Sequence, residues 1–360
     1  MLKVAAINQD RGISPQRSKG AAVHLLAMRQ AFKDLSVEVE AFDEPVDESL
    51  LSALTTSHQK QPFDLLYERY ALGKSTAVRF ARKHGIPMAL EVNAPLAQEQ
   101  QQYRGVDETR QDFENDHFLF RQADCVVAVS NEVARYAADR GAEPDSIMVC
   151  PNGIDTSRFN LQVDAGPVRK RYVPDGVFVL GFHGRQRPWH GFEHLVAVFH
   201  QLLEQDLPVY LMVIGEGEFK ELSSLSPDCY IRLGWQEHSL IPGLISAFDA
   251  LPLTYQPGSP CYFSPLKLME AMACAVVPVV PDLGDLAQTV KHGETGLVYA
   301  AGDDLALQHQ LTELISNPPF KAAIGRQAAQ QASSYSWNRI ANKVLQKTLA
   351  SYPCLSGKLA

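Results

Sequence analysis

"FSPLKLMEAMACAVVPVV", residues 263–280, changes its period halfway along, and that change decides the fold. Ser264 suits an N-cap, and Pro265 suits a first helical position, where a missing N–H loses no partner. The helix so begun ends near Cys274. Val276, Val277, Val279 and Val280 then form a β-branched run, apolar on both faces, of the kind that fills interior parallel strands. Lys267 and Glu270 stand three residues apart, on a helix face leaning away from Leu268, Met269 and Met272. The free N–H groups and positive dipole end of the helix favour an anion. The preceding "YQPGSPCY", residues 255–262, is a turn-rich loop able to hold a ligand near them. A capped core helix with a solvated Glu270 satisfies the same residues, and this stretch alone does not choose.

The alternation of helix and buried strand extends outward in both directions. Strand-like runs "KVAAI", "VEVEAF", "DLLYE", "MALEV", "CVVAV" and "IMVC" are separated by helical stretches, then halt at the turn-rich "PNGIDTSRFNLQVDAGPVRKRYVPDG", residues 151–176. The pattern resumes with "VFVLGF", "VYLMVIG", "YIRLG", "ALPLTY", "AVVPVV" and "GLVY", and two helical stretches close the chain. Each half reads as a doubly wound, mostly parallel α/β sheet, because right-handed strand-helix-strand crossovers cover both faces.

With 360 residues, 46% of them hydrophobic, the chain has apolar material for two cores. Its 33 Lys and Arg against 41 Asp and Glu leave a formal charge of -8, with no basic run, which argues against nucleic acid as a partner. The six cysteines have no metal-ligand spacing and read as small buried residues in a reducing compartment, so the cytoplasm is expected. "MLKVAAINQD" lacks a signal-peptide pattern, and no run approaches the ~18 apolar residues of a membrane span, so at most peripheral membrane contact is expected.

Unusual loops follow the strands, where open α/β sheets bind ligands. They are "NQDRGISPQRSKG", "YERYALG", "EVNAPL", "HGRQRPWHG", "GEGEF", "QPGSPCYFSP" and "PDLGD", and two such edges turned toward each other would make an interdomain cleft. In "GRQRPWHG", Arg185, Arg187 and His190 beside Gly184 suit a phosphate clamp, although an exposed basic turn reads as well. Gly215 in "VIGEGEF" and Gly20 at a helix start permit close backbone approach to a ligand, or simply turn the chain. His24 and Trp337 read as structural, and no Walker loop, serine elbow or Asp-x-Asp metal motif occurs.

As a set and in this order, "PNGID", "GRQRPWHGFEHLVAVF", "VIGEGEF", "SPLKLMEAMACAVVPVV" and "HGETGLVY" resemble the retaining glycosyltransferases of the GT-B fold, family 4 type, over nearly the whole chain. The resemblance implies two Rossmann-like domains facing each other across a cleft. They are an acceptor-side domain over 1–156 and a nucleotide-sugar domain over 157–335, with a helix over 336–360 crossing back. It implies transfer of a hexose from a nucleoside-diphosphate donor to a glycan, lipid-carrier or small-molecule hydroxyl, with no cofactor and no metal. Arg185, Arg187 and Glu270 become the catalytic candidates. Gly20, Gly184, His190, Gly215, Tyr262, Phe263, Ser264, Pro265, Leu266, Lys267 and Glu270 become donor-binding candidates. Glu270 matches the glutamate that binds the ribose hydroxyls in that family. Tyr262 stands where the family has a second glutamate, and His190 where it has the lysine that partners Arg185 on the phosphates. "NQDRGISPQRSKGAAVH", "YERY" and "EVNAPL" resemble a subset of the family and offer Arg11, Lys19, Glu68, Arg69, Glu91 and Asn93 as acceptor-side candidates. An epimerase or hydrolase on the same fold, or a noncatalytic sugar-nucleotide binder, is the alternative reading.

Overall fold

A computed structural model describes residues 1–13, 20–259, 261–262, 264 and 266–358. Its contacts divide the chain into two units. Unit 1 comprises Met1–Gly153, Tyr262–Ser264 and Trp337–Ala360, and unit 2 comprises Ile154–Cys261 and Pro265–Ser336. The architecture is the two-domain α/β type that the strand pattern implies, with one parallel six-stranded sheet in each unit.

In unit 1 the strands are β1 (Lys3–Asn8), β2 (Glu38–Phe42), β3 (Leu65–Arg69), β4 (Met88–Val92), β5 (Cys125–Ala128) and β6 (Ile147–Val149). They lie in the order β2-β1-β3-β4-β5-β6. Strands β1, β3, β4 and β5 are buried along their whole length, which is why apolar residues occur on both faces instead of alternating, with charged exceptions that include Glu68, Arg69 and Glu91. The register sets Ile7 beside Glu68 and Asn8 beside Arg69. The helix Trp337–Leu349 lies against Gly20–Asp34, so the end of the chain is built into unit 1. Its Trp337 ring covers Gly153, where a Cβ would come within 2.5 Å of the indole, and meets His24 edge-on at 4.7 Å. A short third helix, Pro353–Ser356, follows where two closing helices are expected from sequence. Its proline fills the first turn and escapes periodicity because one turn carries none.

Unit 2 holds β7 (Phe178–His183), β8 (Val209–Ile214), β9 (Tyr230–Leu233), β10 (Ala250–Pro252), β11 (Val277–Pro281) and β12 (Leu297–Tyr299), in the order β12-β11-β10-β7-β8-β9. In each sheet the chain winds outward from the first strand, then returns to its other side. The switch points therefore lie between β1 and β3 and between β7 and β10, and a crevice opens beyond the carboxyl ends there. The opening stretch folds as read: a helix Leu266–Ala273, then β11. Ala275 turns the chain at φ 60, and its carbonyl lies 2.3 Å from where a Cβ on Gly325 would stand. Only glycine lets the helix Pro318–Ser333 approach so closely and wedge the shorter helix in place. Among the described residues no helix is long and apolar enough to cross a membrane.

Candidate functional site

At the unit 2 switch point, β7 ends in His183 and the loop beyond it leads through Gly184 to Arg185, Arg187 and His190. Gly184 and Gly215 both adopt positive φ, 105 and 124, and a Cβ on Gly215 would stand 2.3 Å from the Gly184 carbonyl oxygen. The two loops are thereby laced together, with the Gly184 N–H donating to Ile214 O at 2.9 Å and the Gln186 N–H to Glu216 O at 2.8 Å. Gly191 has φ 59 and would set a Cβ 2.0 Å from Thr254 O. The Thr254 hydroxyl donates to His190 O at 2.8 Å, so the loops after β7 and β10 are pinned to each other.

Helix Leu266–Ala273 brings Lys267 and Glu270 to this crevice, but they do not pair with each other. Lys267 Nζ lies 3.3 Å from His190 Nε2, above the rings of Phe182 and Tyr255 at 5.3 and 5.9 Å. Glu270 Oε2 lies 3.5 Å from His183 Nε2. Burial lowers Lys267 to about 8, with Glu270 opposing, and raises Glu270 to about 7 against the pull of Arg158 and Lys267. Burial, then the Lys267 charge, pushes both His183 and His190 down to about 3, so both imidazoles are neutral near pH 7. His183 Nε2 and His190 Nδ1 are buried without hydrogen-bond partners among the described residues. The Glu270 side chain is only 14% exposed, which rules out the plainly solvated carboxylate that the sequence left open. The crevice thus holds an ammonium and a carboxylate in low dielectric, neither matched by an opposite charge within ion-pair distance among the described residues. Arg185 and Arg187 are exposed at its rim, Arg187 over the Trp189 ring at 5.8 Å, and neither has an ion-pair partner among the described residues.

Tyr262 and Ser264 belong to unit 1: the Tyr262 hydroxyl donates to Glu99, Ser130 Oγ donates to Tyr262 O, and Asn152 donates through N and Nδ2 to Ser264 Oγ and O. The Ser264 hydroxyl, expected as a helix cap, accepts the N–H of Asn152 in "PNGID". Leu266 opens the helix, half-buried, and Gly20 opens the helix Gly20–Asp34. Lys19, Phe263 and Pro265 lie outside the described residues.

Of the acceptor-side set, Glu68, Arg69 and Glu91 are buried. Burial and then Asp47 push Glu68 up to about 8, whereas Glu91 is held down to about 2 because His24 and Arg69 outweigh its burial. His24 bonds the Glu91 carboxylate directly, Arg69 is 3.8 Å away, and Asn93 keeps a buried Oδ1 without a hydrogen-bond partner among the described residues. Among the described residues of that set, only Arg11 lines the pocket of about 330 Å³ beyond the ends of β1 and β3. Its other walls include Gln9, Lys74, Gln100, Tyr103 and Arg104, none of them a sequence candidate, and the last three escape notice because helix Leu96–Arg104 looks like an ordinary polar surface helix. Among the described residues no group of three His, Cys, Asp or Glu side chains is arranged to hold a metal ion.

Residues 177–317 match the family described as glycosyl transferases group 1, and residues 4–153 match the glycosyl transferase 4-like domain. A D-inositol 3-phosphate glycosyltransferase of Stackebrandtia nassauensis is 25% identical over 301 residues, 79% of this chain and 67% of that protein. A glycogen synthase of Mycobacterium tuberculosis is 24% identical over 314 residues, 84% of this chain and 72% of its own. Among solved structures, HepE of Anabaena in complex with UDP superposes with a TM-score of 0.74 at 20% identity, over 98% of this chain and all of its own. That likeness shows the fold, GT-B.

Proposed function

This chain belongs to the group 1 glycosyltransferases, and from that premise we propose that it transfers a hexosyl group from a nucleoside-diphosphate sugar to an acceptor hydroxyl with retention of configuration. The observation that carries the reading is the Lys267 ammonium beside His190. The family pattern places a lysine at position 190. Here Lys267 brings an ammonium to 3.3 Å from His190 Nε2, and we assign the pair of cations for a leaving diphosphate to Arg185 and Lys267, with Arg187 at the rim. Breaking the anomeric C–O bond leaves negative charge on the diphosphate, and fixed donors aimed at that charge in a low-dielectric crevice lower the barrier. The N–H groups at the start of helix Leu266–Ala273 add partial positive charge at the same end. In the step, the acceptor oxygen bonds to the anomeric carbon as the phosphate oxygen leaves, and the acceptor's proton passes to that oxygen on the same face. No protein nucleophile is required.

We assign the ribose to Glu270, which is buried and has no cation of its own at ion-pair distance among the described residues. We assign no cofactor and no metal, and place the reaction in the cytoplasm, a reading supported by six free cysteines. HepE, solved with UDP and with UDP-glucose, makes uridine donors the first to try. The test is to incubate the protein with radiolabelled UDP-, ADP- and GDP-hexoses and a panel of sugar acceptors, with and without EDTA, and to assign the product anomer by NMR. Transfer with retention, insensitive to EDTA, is expected. Epimerised donor without acceptor would make it an epimerase, free hexose a hydrolase, and intact donor bound but never consumed a binding protein.

A further inference from the structure

We infer that the unit 1 pocket binds an acceptor sugar through an anionic substituent, a phosphate or a carboxylate, held between Arg11 and Arg104. The inference rests on the glycosyltransferase reading for the word acceptor, and on unit 1 alone for the ligand chemistry. The pocket sits at the switch point of the unit 1 sheet, beyond the ends of β1 and β3, where this topology leaves a crevice. Its volume of about 330 Å³ suits a monosaccharide with one substituent.

Charge decides the class of ligand. Among the described residues three cations line the pocket, Arg11, Lys74 and Arg104, against two carboxylates, Asp10 and Glu99. Lys74 is already answered by Asp47 at 2.8 Å, Glu99 receives the Tyr262 hydroxyl, and Asp10 Oδ1 accepts the Gly12 N–H at 2.7 Å. Arg11 and Arg104 have no carboxylate within ion-pair distance among the described residues. Two guanidinium groups left unanswered in one pocket each offer a planar fork of donors that matches phosphate or carboxylate oxygens.

The remainder of the pocket suits the sugar. Gln9 is 2% exposed, its Nε2 is held by Asp47 at 3.0 Å, and its Oε1 has no hydrogen-bond partner among the described residues, so it is a fixed acceptor for a hydroxyl. Asp47 also receives the Thr76 hydroxyl at 2.6 Å, which locks this support. Tyr103, 48% exposed, offers a ring face of the kind that packs on the C–H face of a sugar.

The experiment is calorimetric titration of the full chain held at saturating UDP, so that the diphosphate site of unit 2 is filled and cannot take the probe. The probes are glucose 6-phosphate, glucuronate and glucose, with inorganic phosphate as control. At least one charged sugar should bind tenfold or more tighter than glucose. Whether the phosphate or the carboxylate binds better identifies the anion, and phosphate alone should be weaker than the better sugar. Arg11→Gln and Arg104→Gln should each lower affinity for that sugar tenfold or more, leaving UDP affinity and melting temperature as in the parent. Equal binding of glucose and the charged sugars, no binding of either charged sugar, or unchanged affinity in both variants overturns the inference. Failure of UDP, ADP and GDP to bind at all is a different result, because it removes the glycosyltransferase reading and leaves anion binding by unit 1 to be judged on the phosphate and charged-sugar titrations.

Discussion

Replacing Lys267 by Gln removes the ammonium 3.3 Å from His190 Nε2 while nearly preserving side-chain length. Burial drops the Lys267 pKa from 10.5 to about 8, so the empty site spends about 3 kcal/mol on keeping it charged, at 1.36 kcal/mol per pKa unit. Burial disfavours the ammonium there, and a bound diphosphate would offset that cost. Lys267→Gln should therefore melt at or above the parent temperature, yet lose about 2.7–4 kcal/mol of transition-state stabilisation, a hundredfold or more in kcat/KM, as when a single donor to developing charge is removed. The discriminating step is the double variant Lys267→Gln with His190→Lys, which moves the ammonium across the same contact and should recover activity to within about tenfold of the parent. The assay is initial-rate transfer at subsaturating donor across pH 6 to 10. Because the cation is present below its pKa and lost above it, kcat/KM of the free parent enzyme should fall as pH rises through about 8. A single variant as active as the parent, or a double variant no better than the single while both melt normally, would refute the argument.

Glu270→Gln keeps size and helix propensity but exchanges a charged acceptor for a neutral one, so UDP should bind about tenfold to a hundredfold more weakly by calorimetry, and 2'-deoxy-UDP should be less affected. Equal weakening of both nucleotides would separate Glu270 from the ribose. Arg185→Ala and Arg187→Ala should each cost roughly 2–4 kcal/mol in kcat/KM. No change in either would reduce the loop to a surface turn. Glu68, raised by burial to about 8, keeps in the native state a proton that the unfolded chain loses near pH 4.5. Its contribution is therefore complete below about pH 4.5 and lost as pH rises toward 8, by at most roughly 4–5 kcal/mol. Glu68→Gln should flatten the fall in melting temperature between pH 5 and 8, and an unaltered slope in scanning calorimetry would contradict this.

The sequence by itself determined the fold class and much of the site's parts list. Strand and helix periods are local properties, and the β-branched run after Cys274 or the apolar "KVAAI" betrays a strand buried on both faces wherever the sheet lies. Glycines were legible for the same reason, since Gly184 and Gly215 follow strands and turn with positive φ. What a side chain meets was not legible, because that depends on strand order. Lys267 and Glu270 share a helix face at three residues' spacing, which says nothing of what either meets across the gap. Only the placement of β10 beside β7 brings His190, 77 residues away, under Lys267 and His183 against Glu270. The same holds in unit 1. Glu68, Arg69 and Glu91, offered by the resemblance of "YERY" and "EVNAPL", are buried in the sheet, and Arg104 at the end of a polar helix lines the pocket. Periodicity reports which face of an element is buried, but the partner across the gap is set by contacts between elements far apart in the chain, which only the tertiary structure brings together.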